Sequence, residues 1–189
     1  MGQYFRFCSI DKKKSISPFD FNNGLKLMEH SWLGNDYVGA AMFLISKGQP
    51  FYCDKIIWAG DYAENEFENS KDIGQNLYNL CYENKIDIIV DVKKVKKLRY
   101  IVNLDTKEYV AICKSLVSEI WVDSTTNKKH LFRIHPLPLL TCDGNGNGLG
   151  DFMGKDPNNL IGKWKRNRVV AQQRKPRNCK ELIFDLVEK

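Results

Sequence analysis

The chain has 189 residues, of which 43% are hydrophobic and 12% aromatic, and it carries a formal net charge of +6. This composition excludes an intrinsically disordered chain, and the length suits one well-cored domain over residues 1–189 better than two small lobes. The longest apolar run, residues 38–46, is too short to span a bilayer and no signal peptide opens the chain, so we expect no membrane partner and a cytoplasmic location.

The first half of the sequence mixes strand and helix patterns. Residues 4–10 alternate apolar and polar side chains, and a turn at Asp11 leads into residues 15 and 16, so that residues 4–16 predict a β-hairpin. Residues 24–29 and 37–47 have helix-compatible apolar patterns, and we predict two helices that pack on a sheet. Residues 54–59 predict a further strand.

The second half is richer in strands. Residues 73–83 carry apolar side chains at helical spacing, whereas the β-branched run at residues 86–92 suits a central strand. Residues 99–112 predict a second hairpin, and residues 131–134 and 181–187 predict two more strands. Pro136 is expected to end the strand at 131–134, because proline cannot donate a hydrogen bond to a neighbouring strand. Because strands outnumber helices, we predict an α+β fold, with a mostly antiparallel sheet covered by two or three helices.

Two segments of the second half repeat patterns of the first half in the same order. The matched segments are residues 4–16 with 99–112 and residues 54–59 with 167–171. Asp105 takes the place of Asp11 in the turn of the second hairpin. Two ordered matches arise by chance less readily than one, so an internal duplication is a plausible origin. The related halves predicted in this way are residues 1–92 and 93–189.

The six cysteines lie far apart, and no two of them form a Cys-x-x-Cys pair. A structural zinc site usually needs such pairs, because one loop must supply two ligands to the same ion. We therefore predict no metal site and expect the cysteines to act as small buried hydrophobic residues.

A glycine-dense loop lies between Cys142 and Phe152. Its opening matches the first half of an EF-hand calcium loop, but Gly154 stands where the closing glutamate should be. Three interpretations stay open: a structural loop with left-handed backbone, a weak cation site, and a nest of backbone amides that holds an anion. The loop residues assigned to this candidate site are Asp143, Gly144, Asn145, Gly146, Asn147 and Asp151.

The positive charge of the chain is concentrated after this loop. Residues 163–180 contain eight Lys or Arg and no acid, whereas the rest of the chain has 21 bases against 23 acids. Such a run is either a solvated face or a patch for phosphate groups or an acidic protein. The residues predicted to bind an anion are Lys163, Lys165, Arg166, Arg168, Arg174 and Lys175. Trp164 lies among them and is either a stacking platform for a nucleobase or a core anchor.

Several short motifs resemble one family in their order along the chain. They are the opening Met1-Gly2-Gln3-Tyr4, the Trp58-Ala59-Gly60-Asp61 segment, the Gly144-Asn145-Gly146 run that continues to Gly150-Asp151, and the later Trp164 and Arg168. The chain thereby resembles a family of uncharacterised small bacterial and phage proteins that begin with MGQY and carry a Gly-Asn-Gly motif. Asn147 stands where such proteins often have arginine, and Leu149 replaces a glycine. The resemblance implies a bacterial or phage accessory protein and carries no activity with it.

Two functions are compatible with these patterns. The first is a non-enzymatic binding protein that engages nucleic acid, a nucleotide or an acidic protein through the basic segment, with no cofactor. The second is a metal-dependent hydrolase or transferase of phosphorylated ligands, with Asp143 and Asp151 as metal ligands or acid/base groups. The sequence lacks the P-loop pattern and a base with a defined partner, so the binding function is preferred.

Overall fold

A computed structural model describes residues 2–66, 75–115, 117–122 and 129–186. The strands in chain order are β1 (Phe5–Ser9), β2 (Lys14–Ile16), β3 (Ile56–Gly60), β4 (Tyr100–Asn103), β5 (Glu108–Ala111), β6 (Val117–Val122), β7 (Lys129–Arg133), β8 (Cys142–Asp143), β9 (Val169–Gln172) and β10 (Lys180–Glu181). The α-helices are α1 (Leu27–His30), α2 (Asp36–Leu44), α3 (Leu77–Tyr82), α4 (Val92–Val95) and α5 (Pro136–Thr141). Short 3-10 helices occur at Pro18–Phe21 and Ile112–Lys114.

The first sheet has the strand order β2-β1-β3-β8. β1 pairs antiparallel with both β2 and β3, and the two-residue strand β8 joins the far side of β3 in parallel. Every residue of β1 and β3 is buried, because the sheet is covered on both faces. Phe7 and Trp58 face the main core, whereas Cys8 and Ile57 pack on α3. Burial of both faces explains why β3 reads as a nearly continuous apolar run.

The second sheet has the strand order β10-β5-β4-β9. β4 pairs antiparallel with β5 and β9, and β10 adds to β5 in parallel. Ile101 and Ala171 face the same main core as the first sheet, whereas Val102, Tyr109 and Val170 form the outer face. β9 and β10 lie at opposite edges, so the chain between them must cross the sheet. We call this connection, with the first residue of β10, the basic crossover (residues 173–180).

The remaining elements cover or extend these sheets. β6 and β7 form a separate antiparallel hairpin. α2 is buried over most of its surface, and the Asn35 side chain caps it by accepting from the backbone N–H groups of Tyr37 and Val38. Capping satisfies donors at the first turn of a helix that have no intrahelical partner.

The predicted α+β class is confirmed, and five of the seven pairings between the described strands are antiparallel. The strands divide into two four-stranded sheets and a hairpin, and five α-helices accompany them. In the part of the chain that the structure describes, no helix is both long and apolar enough to cross a membrane.

Three local predictions differ from the structure. The β-branched run at 86–92 forms no strand; alternate side chains of the run pack on the core, while Ile89 is 96% exposed. The strand predicted at 181–187 is limited to β10, and residue 187 lies outside the described residues. Pro136 begins a helix instead of only ending a strand, because a proline at the first helical position loses no hydrogen bond. The predicted helix at 73–83 is α3, and residues 73 and 74 lie outside the described part.

The two segment pairs that match in sequence also share hydrogen bonds. Asp11, in the β1–β2 turn, accepts the backbone N–H of Lys55 (2.8 Å), which lies just before β3. Asp105, in the β4–β5 turn, accepts the backbone N–H of Arg168 (2.8 Å), which lies just before β9. Left-handed backbone also recurs at matching places, at Lys13 (φ 50°) and Lys107 (φ 57°) and at Cys53 (φ 65°) and Arg166 (φ 65°). These equivalences support an internal duplication as a proposal.

The two four-stranded sheets meet where β3 and β9 begin. Lys55 and Arg168 form an antiparallel bridge, and Ile56 exchanges backbone hydrogen bonds of 3.0 Å with Arg166 and Asn167. The basic segment that precedes β9 is therefore held against the first sheet before the chain enters the second.

Candidate anion-binding surface

The glycine loop follows β8 and folds around one carboxylate. Asp151 is buried, and its Oδ2 atom accepts the backbone N–H groups of Gly146 (2.6 Å), Asn147 (3.1 Å) and Gly148 (3.2 Å). The turn depends on left-handed backbone, with φ of 96° at Gly144, a conformation that glycine adopts without steric cost. The three amides thus hold the chain's own aspartate, in the place where the anion-nest interpretation would put a ligand.

Two asparagines complete the loop from inside. Asn145 Oδ1 accepts the backbone N–H of Phe152 (2.9 Å), and Asn147 Nδ2 donates to the carbonyl oxygen of Gly144 (2.8 Å). Burial raises the pKa of Asp151, against the opposing effect of the three N–H groups. Side chains that an EF-hand would turn toward a cation are here used to close the loop, so the arrangement favours the structural interpretation.

Two neighbouring cations of the basic segment are paired with carboxylates. Lys165 Nζ lies 3.0 Å from Asp143 Oδ1. Arg166 makes a bidentate pair with Glu66, with N–O distances of 2.6 and 3.1 Å, and its Nη2 lies 3.9 Å from Asp143. Glu66 also raises the pKa of Arg166. These cations compensate acids of the loop and of the segment after β3, so they are not open charges for a partner.

Two further cations, one on each side of Lys165 and Arg166 in the sequence, are also paired with carboxylates. Lys163 Nζ lies 3.5 Å from Glu108 Oε1. Arg168 Nη2 lies 2.5 Å from Asp105 Oδ1, and the backbone N–H and guanidinium of Arg168 hold the pKa of Asp105 below its usual value. Four of the six residues predicted to bind an anion are therefore engaged within the protein.

Trp164 belongs to the core rather than to a binding surface. Its side chain is fully buried, and its indole N–H donates to Glu108 Oε2 (2.9 Å). A nucleobase can stack only on a ring with an open face, so of the two roles left open for Trp164 the structure favours the core anchor over the stacking platform. Trp164 has charged neighbours in the sequence, which is typical of a surface residue. The side chains of these neighbours form ion pairs with acids of the protein.

The basic crossover carries the cations that remain. Arg174, Lys175, Arg177 and Lys180 are exposed, and within the described residues none of them has a carboxylate partner. The Lys175 ammonium lies 5.6 Å from the centre of the Tyr109 ring, a cation–π contact that fixes the crossover over the outer face of the second sheet.

The sheet beneath the crossover is only weakly open to a ligand. Tyr109 is 2% exposed, and its hydroxyl donates to Glu181 Oε2 (3.0 Å). Tyr100 packs edge-on against Tyr109, with 5.8 Å between ring centres, and is half-buried. Cys179 contributes to the same apolar cluster. The basic crossover thus packs on the aromatic side chains of the second sheet, and its charged side chains are exposed to solvent.

The structure gives little support to a metal centre. Within the described ranges no group of three or more His, Cys, Asp or Glu could hold a metal ion, and the six cysteines are free thiols. Asp143 and Asp151, the acids of the hydrolase hypothesis, are used by Lys165 and by the loop amides. No observation at these acids favours a hydrolase or transferase.

The basic segment was predicted from the sequence, but two of its cations were left out of the predicted site. It included Arg174 and Lys175 and omitted Arg177 and Lys180, which the structure places on the same exposed crossover. No local signal separates the two groups, because residues 163–180 contain no acid and the acids that neutralise the cations before β9 are far away in sequence.

Comparisons with known proteins add no assignment. No protein-family description, curated protein or solved structure matches the chain. The resemblance to the MGQY family consequently stays a prediction.

Proposed function

We propose that the protein binds an extended polyanion, in the first place a nucleic acid strand, through the basic crossover. The observation that carries this proposal is the row of four exposed cations, Arg174, Lys175, Arg177 and Lys180, without carboxylate partners among the described residues. The other four cations of residues 163–180 have such partners. The charge that is free to act on a partner is therefore concentrated on one segment.

The spacing of these cations favours a polymer over a single nucleotide. Residue 174 follows β9 and residue 180 begins β10, at opposite edges of the second sheet, and three strand spacings place these edges roughly 14 Å apart. One phosphate group cannot reach both ends of such a row, whereas successive phosphates of a strand can. An acidic protein surface is the competing partner.

The mode of binding follows from the chemistry of the row. With Trp164 in the core and Tyr109 covered, attraction to phosphates supplies most of the affinity, and base identity has little influence. Four phosphate contacts to a single strand would give a slope near −3 for the logarithm of the association constant against the logarithm of salt concentration.

Charge reversal on the crossover is expected to weaken binding at least tenfold. The test measures fluorescence anisotropy of a labelled oligothymidylate at low salt for the wild type and for the Arg174→Glu/Arg177→Glu double variant. Repulsion replaces attraction at two contacts, so the salt slope should also become shallower. Both positions are exposed and unpaired in the described part, so the fold should persist.

A matched control separates the crossover from net charge. Lys14→Glu/Lys155→Glu changes the net charge by the same amount at two exposed residues that lie elsewhere and have no carboxylate partner within the described ranges. This control should bind within about twofold of the wild type. Equal losses in the two double variants, or no binding by the wild type at low salt, would contradict the proposal.

A further inference from the structure

A cavity of about 450 Å³ lies between the start of α2, helix α4 and the 3-10 helix Ile112–Lys114. Its volume is within the range of pockets that hold small organic ligands, and it is remote from the basic crossover in sequence and in lining residues. Most of the wall is apolar, formed by Val38, Met42, Val92, Val95, Leu98 and Ile112. The face of α2 that is turned toward α4 contains Gly39, which lines the cavity; a Cβ atom at this position would lie 3.4 Å from Val95 Cγ1, already in contact with it.

One buried polar group lines this apolar wall. His135 is 2% exposed, and its Nδ1 accepts the backbone N–H of Leu137 (3.2 Å). The proton of the neutral ring must therefore be on Nε2. Among the described residues, the contact made by that N–H is with the Met42 sulfur (3.0 Å), and a thioether is a weak acceptor. The His135 Nε2–H group in the cavity wall is thus a hydrogen-bond donor whose present acceptor is weak.

The rim of the cavity carries a positive balance. Lys96 and Arg99 are exposed at the rim, opposite one acid, Asp36. Arg99 Nη1 donates to the carbonyl oxygen of Lys96 (2.6 Å), which fixes the guanidinium at the end of α4. Within the described ranges neither cation is paired with a carboxylate. An apolar interior below two cations is complementary to a molecule with an apolar body and an anionic end.

We propose that this cavity binds an amphipathic carboxylate, such as a medium-chain fatty acid. The hydrocarbon chain replaces water against the apolar wall, and removal of apolar surface from water supplies the main driving force. The carboxylate stays at the rim, where Lys96 and Arg99 attract it and solvent still reaches it. The proposal is independent of nucleic acid binding, because it uses none of the residues of the basic crossover.

Calorimetric titration with decanoate tests the ligand class, with decanol as the neutral counterpart. We expect decanoate to bind at least fivefold more tightly than decanol, since only decanoate interacts with the cations at the rim. Lys96→Glu should remove this preference. Lys93→Glu is the matched control, because it changes the same charge on the same helix at an exposed residue that does not line the cavity.

A filled cavity tests the place of binding. Gly39→Leu adds a side chain at the cavity wall, in contact with Val95, and it improves helix propensity; unchanged oligothymidylate binding shows that the variant is folded. It should lose decanoate binding by at least tenfold, whereas its oligothymidylate binding should not change. Three results would each overturn the proposal: no decanoate binding by the wild type, equal affinity for decanoate and decanol, and unchanged decanoate affinity in the Gly39→Leu variant.

Discussion

Lowering the pH from 7 to 5 is expected to reduce the free energy of unfolding by about 4 kcal/mol through two histidines, His30 and His135. Both rings are buried, and burial lowers the pKa of His30 from 6.5 to about 4 and that of His135 to about 3. A loss of this size is a large fraction of the stability of an ordinary domain.

Hydrogen bonding explains why neither ring accepts a proton easily. His30 Nε2 accepts the indole N–H of Trp58 (2.7 Å), and its Nδ1 donates to the carbonyl oxygen of Gly24 (3.1 Å). His135 Nδ1 accepts the backbone N–H of Leu137. In each ring the nitrogen that would take the extra proton already faces a donor, so protonation breaks that hydrogen bond inside the core.

The direction of the pH effect follows from the lowered pKa values. The unfolded chain takes up protons as the pH falls below about 6.5, whereas the folded protein does not until about pH 4. The stabilisation is complete above pH 6.5 and decreases between pH 6.5 and the folded pKa values, by about 1.4 kcal/mol per pH unit for each histidine. Asp151 acts in the opposite direction, because its raised pKa favours the folded state as the pH falls.

Urea unfolding at pH 7, 6 and 5 measures this effect, and His30→Gln isolates one of the two groups. The variant is expected to be less stable than the wild type at pH 7. Its stability should also decrease less steeply as the pH falls: between pH 6 and 5 its slope should be smaller than that of the wild type by about 1.4 kcal/mol per pH unit. An identical pH slope in the variant and the wild type would show that His30 is not protonated in the way we describe.

Replacing Asp151 with alanine is expected to cost about 3 kcal/mol in the free energy of unfolding, because the Gly146, Asn147 and Gly148 amides lose their shared acceptor. Each of these amides forms part of a tight loop beside β8, where water has to enter to replace the carboxylate. Asp151→Asn keeps an oxygen at the same place and should cost only about 1 kcal/mol, since neutral acceptors form weaker bonds than charged ones.

Chemical denaturation of both variants measures the difference. The matched control is Asp185→Ala, which removes an exposed carboxylate that accepts one hydrogen bond, from Asn158 Nδ2. This control should change stability by less than about 0.5 kcal/mol. If Asp151→Ala were as stable as the control, the internal occupation of the amide nest would have no energetic importance, and the loop would be open to another anion.

Local patterns were sufficient for most strands and for the main helix. Alternation at residues 4–16 and the turn residue Asp11 predicted the β1–β2 hairpin, and the apolar pattern of residues 37–47 predicted α2. The same patterns failed at residues 86–92, because after the backbone contact of Lys85 and Ile86 with Ser15 of β2 the run pairs with no described strand. Its alternate β-branched side chains still pack on the core.

The sequence by itself determined the α+β class, the hairpins β1–β2 and β4–β5 and the concentration of cations in residues 163–180. Only the tertiary structure decided which of those cations are free, because their partners are distant in the chain: Glu66 lies 100 positions from Arg166, and Asp105 lies 63 positions from Arg168. Local periodicity reports which face of an element is buried, but ion pairs between separate elements depend on how the sheets are placed. The same reason applies to the amide nest. The sequence contains Asp151, but only the folded loop shows that its carboxylate accepts the amide hydrogen bonds.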